Sequence, residues 1–179
     1  MVEPDALIVA WRNGEIPDLD GVVFRDGTYV PMDSYSIEGN HYGISGMRRL
    51  NPENCDLDLQ AVGDLSWEGR VDNCSYNVKD RPLTIVAGEC TGHGSIGYIA
   101  SVDTSCDEPV WILFCSDSNP FDCVEVKDGV ILAHTTAYDI WTIDLEDPTS
   151  VSITHCPYRM WSEFGFEATA KMRENRVDE

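Results

Sequence analysis

The feature that most constrains this 179-residue chain is its punctuation. Short segments rich in Val, Ile, Tyr, Trp and Thr recur along it, closed by Gly, Asp, Asn or Pro. Branched and aromatic side chains fit a pleated surface, and the closing residues supply the backbone angles of a reversal. The rhythm therefore predicts strands at 22–24, 28–31, 44–50, 57–67, 70–78, 83–90 and 95–102, then at 110–116, 123–127, 130–134, 140–145 and 151–154. Turns are expected at Asp26-Gly27, Glu68-Gly69, Asn119-Pro120, Asp128-Gly129 and Asp147-Pro148. Lys127-Asp128-Gly129-Val130 is the clearest hairpin, because Asp-Gly accepts the positive φ values of a type I′ turn.

Alternation adds detail. Val124 and Val126 share one face of their strand, while Glu125 and Lys127 take the other. In 139–145 the alternation breaks at Ile140-Trp141, which means either a strand buried on both faces or a bulge. Helix signals are few. Met160, Phe164, Ala168 and Met172 recur every four residues, with Trp161 beside them, and predict a helix over 158–176 interrupted by Gly165. Residues 5–11 read equally as a short helix ended by Gly14 or as a first strand. The stretch 14–46 is loop-rich, and Gly39-Asn40-His41-Tyr42-Gly43 reads as an exposed loop. No repeat or linker divides the chain. The expected fold is a single mainly β domain over 1–179, an antiparallel sandwich or a curled meander sheet, with a C-terminal α-helix.

A hydrophobic content of 42 % at this length supports a packed core. The charge is less ordinary: 32 acids against 12 bases leave −20. That balance excludes phosphate-driven nucleic-acid binding and docking on an anionic membrane, both of which need Lys and Arg. The N-terminus shows no basic and apolar leader, and the longest apolar runs, 6–11 and 110–115, are too short to span a bilayer, so a cytoplasmic protein is expected. The seven cysteines, Cys55, Cys74, Cys90, Cys106, Cys115, Cys123 and Cys156, form no C-x-x-C pair and are expected as free, mostly buried thiols.

Several motifs invite chemistry. Gly92-His93-Gly94-Ser95-Ile96-Gly97 spells G-x-G-x-x-G after a strand, with Asp117 twenty residues beyond Gly97. A dinucleotide site needs a helix to begin there, yet Tyr98–Val102 continues with residues that favour a strand, so a Gly-rich hairpin is the better reading. A nucleophile elbow at Ser95 fails because His93 occupies the position of its first glycine. Cys90, His93, Cys115, Cys123, His155 and Cys156 could supply zinc ligands only if the fold made four converge. Asp56/Asp58 and Asp103/Asp107/Glu108 do not follow a calcium-loop pattern and read as a solvated acidic rim. No metal or cofactor is expected. Trp111 and Trp141 lie in strands and are expected in the core, whereas Trp67, beside Glu68-Gly69, is expected at a turn as an exposed anchor.

The acids are spread along the chain and are expected at strand ends, among them Asp103, Asp107, Glu108, Asp117, Asp122, Asp139 and Asp144. A folded acidic surface steers a basic partner toward it. The segment 92–153 resembles a β-rich module of small bacterial proteins, some of them immunity-type proteins of polymorphic or contact-dependent toxin systems. The similarity rests on the glycine segment with Tyr98-Ile99-Ala100, then Trp111-Ile112-Leu113-Phe114, Ser118-Asn119-Pro120-Phe121, Asp128-Gly129-Val130-Ile131, and Trp141 with Asp147-Pro148. It implies a non-catalytic protein that occludes the active surface of a basic toxin, without catalytic residues. The partner surface is then expected at Trp67, Asp103, Asp107, Glu108, Asp117, Asp122, Asp139 and Asp144. The alternatives are a metal-supported or hydrolytic enzyme around Cys90, His93, Ser95 and His134, or a structural protein whose acidic surface is merely solvated.

Overall fold

The run Trp111-Ile112-Leu113-Phe114-Cys115 has no polar member, and a strand of that kind must be covered on both faces. The computed structural model, which describes residues 4–32, 35–37, 41–43, 66–92 and 96–155, shows how. In chain order the elements are α1 (Pro4–Arg12), β1 (Glu15–Pro17), β2 (Gly21–Phe24), β3 (Tyr29–Pro31), β4 (Tyr35–Ile37) and β5 (His41–Gly43). They continue with β6 (Trp67–Asn77), β7 (Leu83–Cys90), β8 (Gly97–Asp103), β9 (Glu108–Cys115), β10 (Phe121–Lys127), β11 (Val130–Thr135), β12 (Asp139–Asp144) and β13 (Val151–His155).

Seven strands form one curled antiparallel sheet in the order β1-β6-β7-β8-β9-β2-β3. The hairpins β6 to β9 make its centre, and the N-terminal strands flank them, β1 on β6 and β2 on β9. A second sheet, β10-β11-β12-β13, is a plain meander. One face of the large sheet packs on it through Val22, Ile85, Ala87, Ile99, Trp111, Leu113 and Cys115, which meet Phe121, Val124, Ile131, Ala133, Trp141 and Ile143. Phe121 and Trp141 meet edge to face at 5.4 Å and 86°, a contact worth about 1 kcal/mol beyond area burial. The other face carries Val23, Tyr98, Ala100, Ile112 and Phe114, and α1 covers it with Leu7 and Trp11. Along β9 the side chains alternate between the two cores, so the apolar run of that strand serves both.

α1 resolves the ambiguity at 5–11 as a helix. Pro4 opens it, where its missing N–H is no loss. Leu7, Ala10 and Trp11 make one buried face at helical spacing. Gly14, at φ +78°, donates its N–H to Trp11 O at 3.0 Å and ends it. The Asp128-Gly129 hairpin forms with φ +52° and +79°, and Lys127 pairs with Val130. Ile140 and Trp141 are both buried in regular register, which settles that strand as covered on both faces without a bulge.

Two expectations are corrected. Glu68-Gly69 lies inside β6 and is not a turn; a Cβ on Gly69 would sit 2.6 Å from Thr91 Oγ1, so the glycine serves close packing. Residues 41–43 are paired with 35–37 as a small hairpin instead of forming a loop. The described helix is N-terminal, and the helix expected at 158–176 lies outside the described residues, as do the strand expected at 44–50 and residues 57–65 of the strand expected at 57–67.

Candidate functional site

Antiparallel strands deliver their turns to two opposite ends of the sandwich, and this splits the expected acidic surface. At one end the β8–β9 turn holds Asp103, Asp107 and Glu108, and Thr104 N–H donates to Pro82 O of the β6–β7 turn at 2.9 Å. Arg81 of that turn pairs with Glu146, and Leu145 N–H donates to Gly129 O at 3.0 Å, which brings Asp144 and Asp128 to the same end. Asp117, Asp122 and Asp139 lie at the other end. There the 116–120 loop packs on Gly97, and Thr136 N–H of the β11–β12 turn reaches Pro120 O at 2.9 Å. Asp20 accepts Ser116 N–H at 2.6 Å and its hydroxyl at 2.9 Å at this end.

The individual positions differ from expectation in instructive ways. Asp107 and Asp117 are exposed turn acids, and Asp144 is exposed at the end of β12. Asp103 is partly exposed, and hydrogen bonds from the Ser105 hydroxyl and N–H hold its carboxyl below the usual range. Asp122 is half-buried at the bulge between Phe121 and Cys123. Glu108 is only 8 % exposed, because Arg12 of α1 and Arg25 after β2 both pair with it. Asp139 is 6 % exposed, its N–H tied to Thr135 Oγ1 at 3.1 Å. Trp67 is not an exposed turn anchor: it starts β6 opposite Pro17 and packs on the helix-side core. Glu108, Asp139 and Trp67 therefore serve the fold's interior more than its surface.

The residues of the enzyme alternative do not gather. Cys90 is buried at 2 % in the helix-side core, and burial first, then Glu68, Asp18 and Glu89, pushes its thiol up to about 12. His134 is fully buried on β11, one residue from the inward-facing Ala133 and so on the opposite, outward face of the small sheet. The inter-sheet core separates the two. Cys115 lies inside that core with its thiol pushed up to about 12, chiefly by burial. A thiol that keeps its proton is neither a ready nucleophile nor a ready ligand. His93 and Ser95 lie outside the described residues. Among the described residues no group of three or more His, Cys, Asp or Glu is placed to hold a metal ion. The glycine motif leads into β8 and not into a helix, so the pyrophosphate cradle of a dinucleotide site is not formed there. Gly97 serves packing: a Cβ there would lie 2.3 Å from Asn119 O.

Tyr138 was invisible to sequence reasoning. It stands in the β11–β12 turn, 39 % exposed, at φ +70°. Its only signal in the sequence is an aromatic residue between two strand patterns, at a place where turn residues are expected. No family model, curated protein or solved structure matches the chain.

Proposed function

We propose that this chain is an acidic, non-catalytic binding protein of the immunity type, which neutralises a basic, nuclease-like toxin by covering its active surface. The observation that carries the reading is how the four described arginines are used, the described lysines Lys79 and Lys127 being exposed. Arg12 and Arg25 are committed to Glu108, Arg70 to Asp72 and Arg81 to Glu146. Meanwhile Asp26, Asp80, Asp107, Asp117 and Asp128 stand exposed at turns, and Asp144 at the end of β12. The field outside the molecule is therefore set by carboxylates, which raise the encounter rate with a basic partner and exclude acidic ones.

The test is a pull-down with the tagged full chain from its source lysate at low and high salt. Charge-reversal pairs Asp103→Lys/Asp107→Lys and Asp117→Lys/Asp122→Lys accompany it, one pair at each end. A stoichiometric basic protein, weakened by salt and lost with one pair, is the expected result. A partner whose capture ignores salt and both pairs would refute the acidic surface as the binding determinant.

A further inference from the structure

We infer that Cys74 and Cys123 form a redox-controlled modification site, a reversible disulfide that staples the two sheets together across the seam between β6 and β10. The inference does not rest on the binding-protein reading. β1 pairs with β6 only over Trp67–Gly69, so beyond Gly69 no described strand pairs with the outer side of β6. β10 is an end strand of the small sheet. These two edges lie next to each other, and Asn73 Nδ2 donates to Phe121 O at 3.1 Å across the seam. Among the described strands no ladder joins the two sheets.

Both edges are bulged at this point. On β6 the register steps from Asp72 to Cys74 and leaves out Asn73. On β10 it steps from Phe121 to Cys123 and leaves out Asp122. A bulge bends its strand and re-aims the side chains beside it. Each cysteine is the first paired residue after its bulge, and the Asn73–Phe121 bond brings the two bulges together. Cys74 is half-buried against the inter-sheet core, and its Sγ donates to Ala87 O at 3.7 Å. Burial pushes this thiol up to about 12, and Cys123, then Asp122, add to the rise, so the two sulfurs are near enough for one to feel the other's charge. The other described cysteines do not compete: Cys115 is three strands away on β9, Cys90 is in the helix-side core, and Cys106 is in the β8–β9 turn.

The chemistry is thiol–disulfide exchange with a small-molecule disulfide such as oxidised glutathione. One cysteine attacks as the thiolate; the S–S bond of the small molecule breaks and one small thiolate leaves. The second cysteine gives its proton to solvent and attacks the protein sulfur of the mixed disulfide. The Cys74–Cys123 bond forms, the second small thiolate leaves, and both leaving groups take up protons. Two electrons and two protons pass from the cysteine pair to the small disulfide. Because Cys74 holds its proton, exchange is slow near neutral pH and quickens as pH rises. The bond closes a loop of about 50 residues, which constrains the unfolded chain and stabilises the folded one.

The experiment incubates the dilute full chain with oxidised glutathione at pH 8.5, against a control kept in a phosphine reductant. After the remaining thiols are blocked, non-reducing digestion before aspartate releases 72–79 and 122–127, each carrying one cysteine. These two peptides are expected to be linked, and Tm to rise by about 5 °C or more over the reduced protein. The reductant should reverse both. Cys123→Ala should lose the link and the rise, while Cys106→Ala should keep them. The map and the melt are read first on the wild type, so the test does not depend on a variant folding. Cys74 found as the thiol, carrying glutathione, or linked to another cysteine overturns the pair. A Cys74–Cys123 link that leaves Tm unchanged or lowers it overturns the staple.

Discussion

The guanidinium of Arg70 lies over the indole of Trp11, its Cζ 3.8 Å from the ring centroid. Trp11 is in the last turn of α1 and Arg70 is on β6, so one stacked pair fastens the helix to the large sheet. Arg70 also pairs with Asp72, which accepts the hydroxyl of the fully buried Tyr98. Burial, then Asp72, drives the Tyr98 phenol upward, so it remains a donor. Arg70 is 16 % exposed but Asp72 is 47 % exposed, so water screens their ion pair and the stack contributes more. Arg70→Ala should cost about 2 kcal/mol and Arg70→Lys about 1, since lysine keeps the charge without the planar stack. Urea unfolding checks this, and equal losses for the two variants would mean that charge alone matters.

Glu108 holds two arginines from elements remote in sequence, and its side chain is 11 % exposed. The arginines are 61 % and 42 % exposed, which screens much of the attraction. Glu108→Gln should therefore cost about 1–2 kcal/mol, while the neighbouring Asp107→Asn should change stability by less than about 0.5. Denaturant titrations at low and high salt separate the two. A loss at Asp107 equal to that at Glu108 would show that general charge, not the clamp, sets the effect.

How much of this was legible in the sequence depends on the range of the interactions. Local patterns carried: Val124 and Val126 do line the inter-sheet core, and the Asp-Gly hairpin sits where its chemistry demands. Strand order did not carry, because β1 finds β6 across half a hundred residues, as Glu15 opposite Gly69 shows. Asp103 and Asp117 look like parts of one acidic run, yet strand β9 between them sends them to opposite ends. Glu108 looked like a surface acid because nothing local reveals Arg12 and Arg25. Tyr138 escaped because turn grammar expects Asn or Gly at a positive φ.

The buried thiols make stability depend on alkaline pH. Burial raises Cys74, Cys90 and Cys115 from 9.0 to about 12. Below pH 9 both folded and unfolded chains keep these protons, so nothing changes. Between about 9 and 12 the unfolded chain releases them while the folded chain keeps them, so stability falls as pH rises. The urea midpoint should therefore hold steady from pH 7 to 8.5 and drop above 9, and Cys90→Ala/Cys115→Ala should make that drop shallower. Mass-mapped alkylation at pH 8 should label the exposed Cys106 and leave Cys90 and Cys115 untouched until unfolding. Labelling of Cys115 in the native protein would contradict its place in the core.

Gly97 is where the fold is least forgiving at the Tyr138 end. A Cβ there would meet Asn119 O at 2.3 Å, Ser118 Oγ at 2.6 Å and the Phe121 ring at 2.9 Å. The loop has little room to yield, because Ser118 Oγ already donates to Cys115 O at 3.0 Å and Asn119 is fixed at φ +63°. Gly97→Ala should cost about 2–3 kcal/mol through overpacking. Gly129, at φ +79° with open space around it, isolates the conformational term, and Gly129→Ala should cost about 1 kcal/mol. Chemical denaturation checks both costs. A Gly97→Ala variant as stable as the wild type would mean that the loop gives way and does not brace that end of the sandwich.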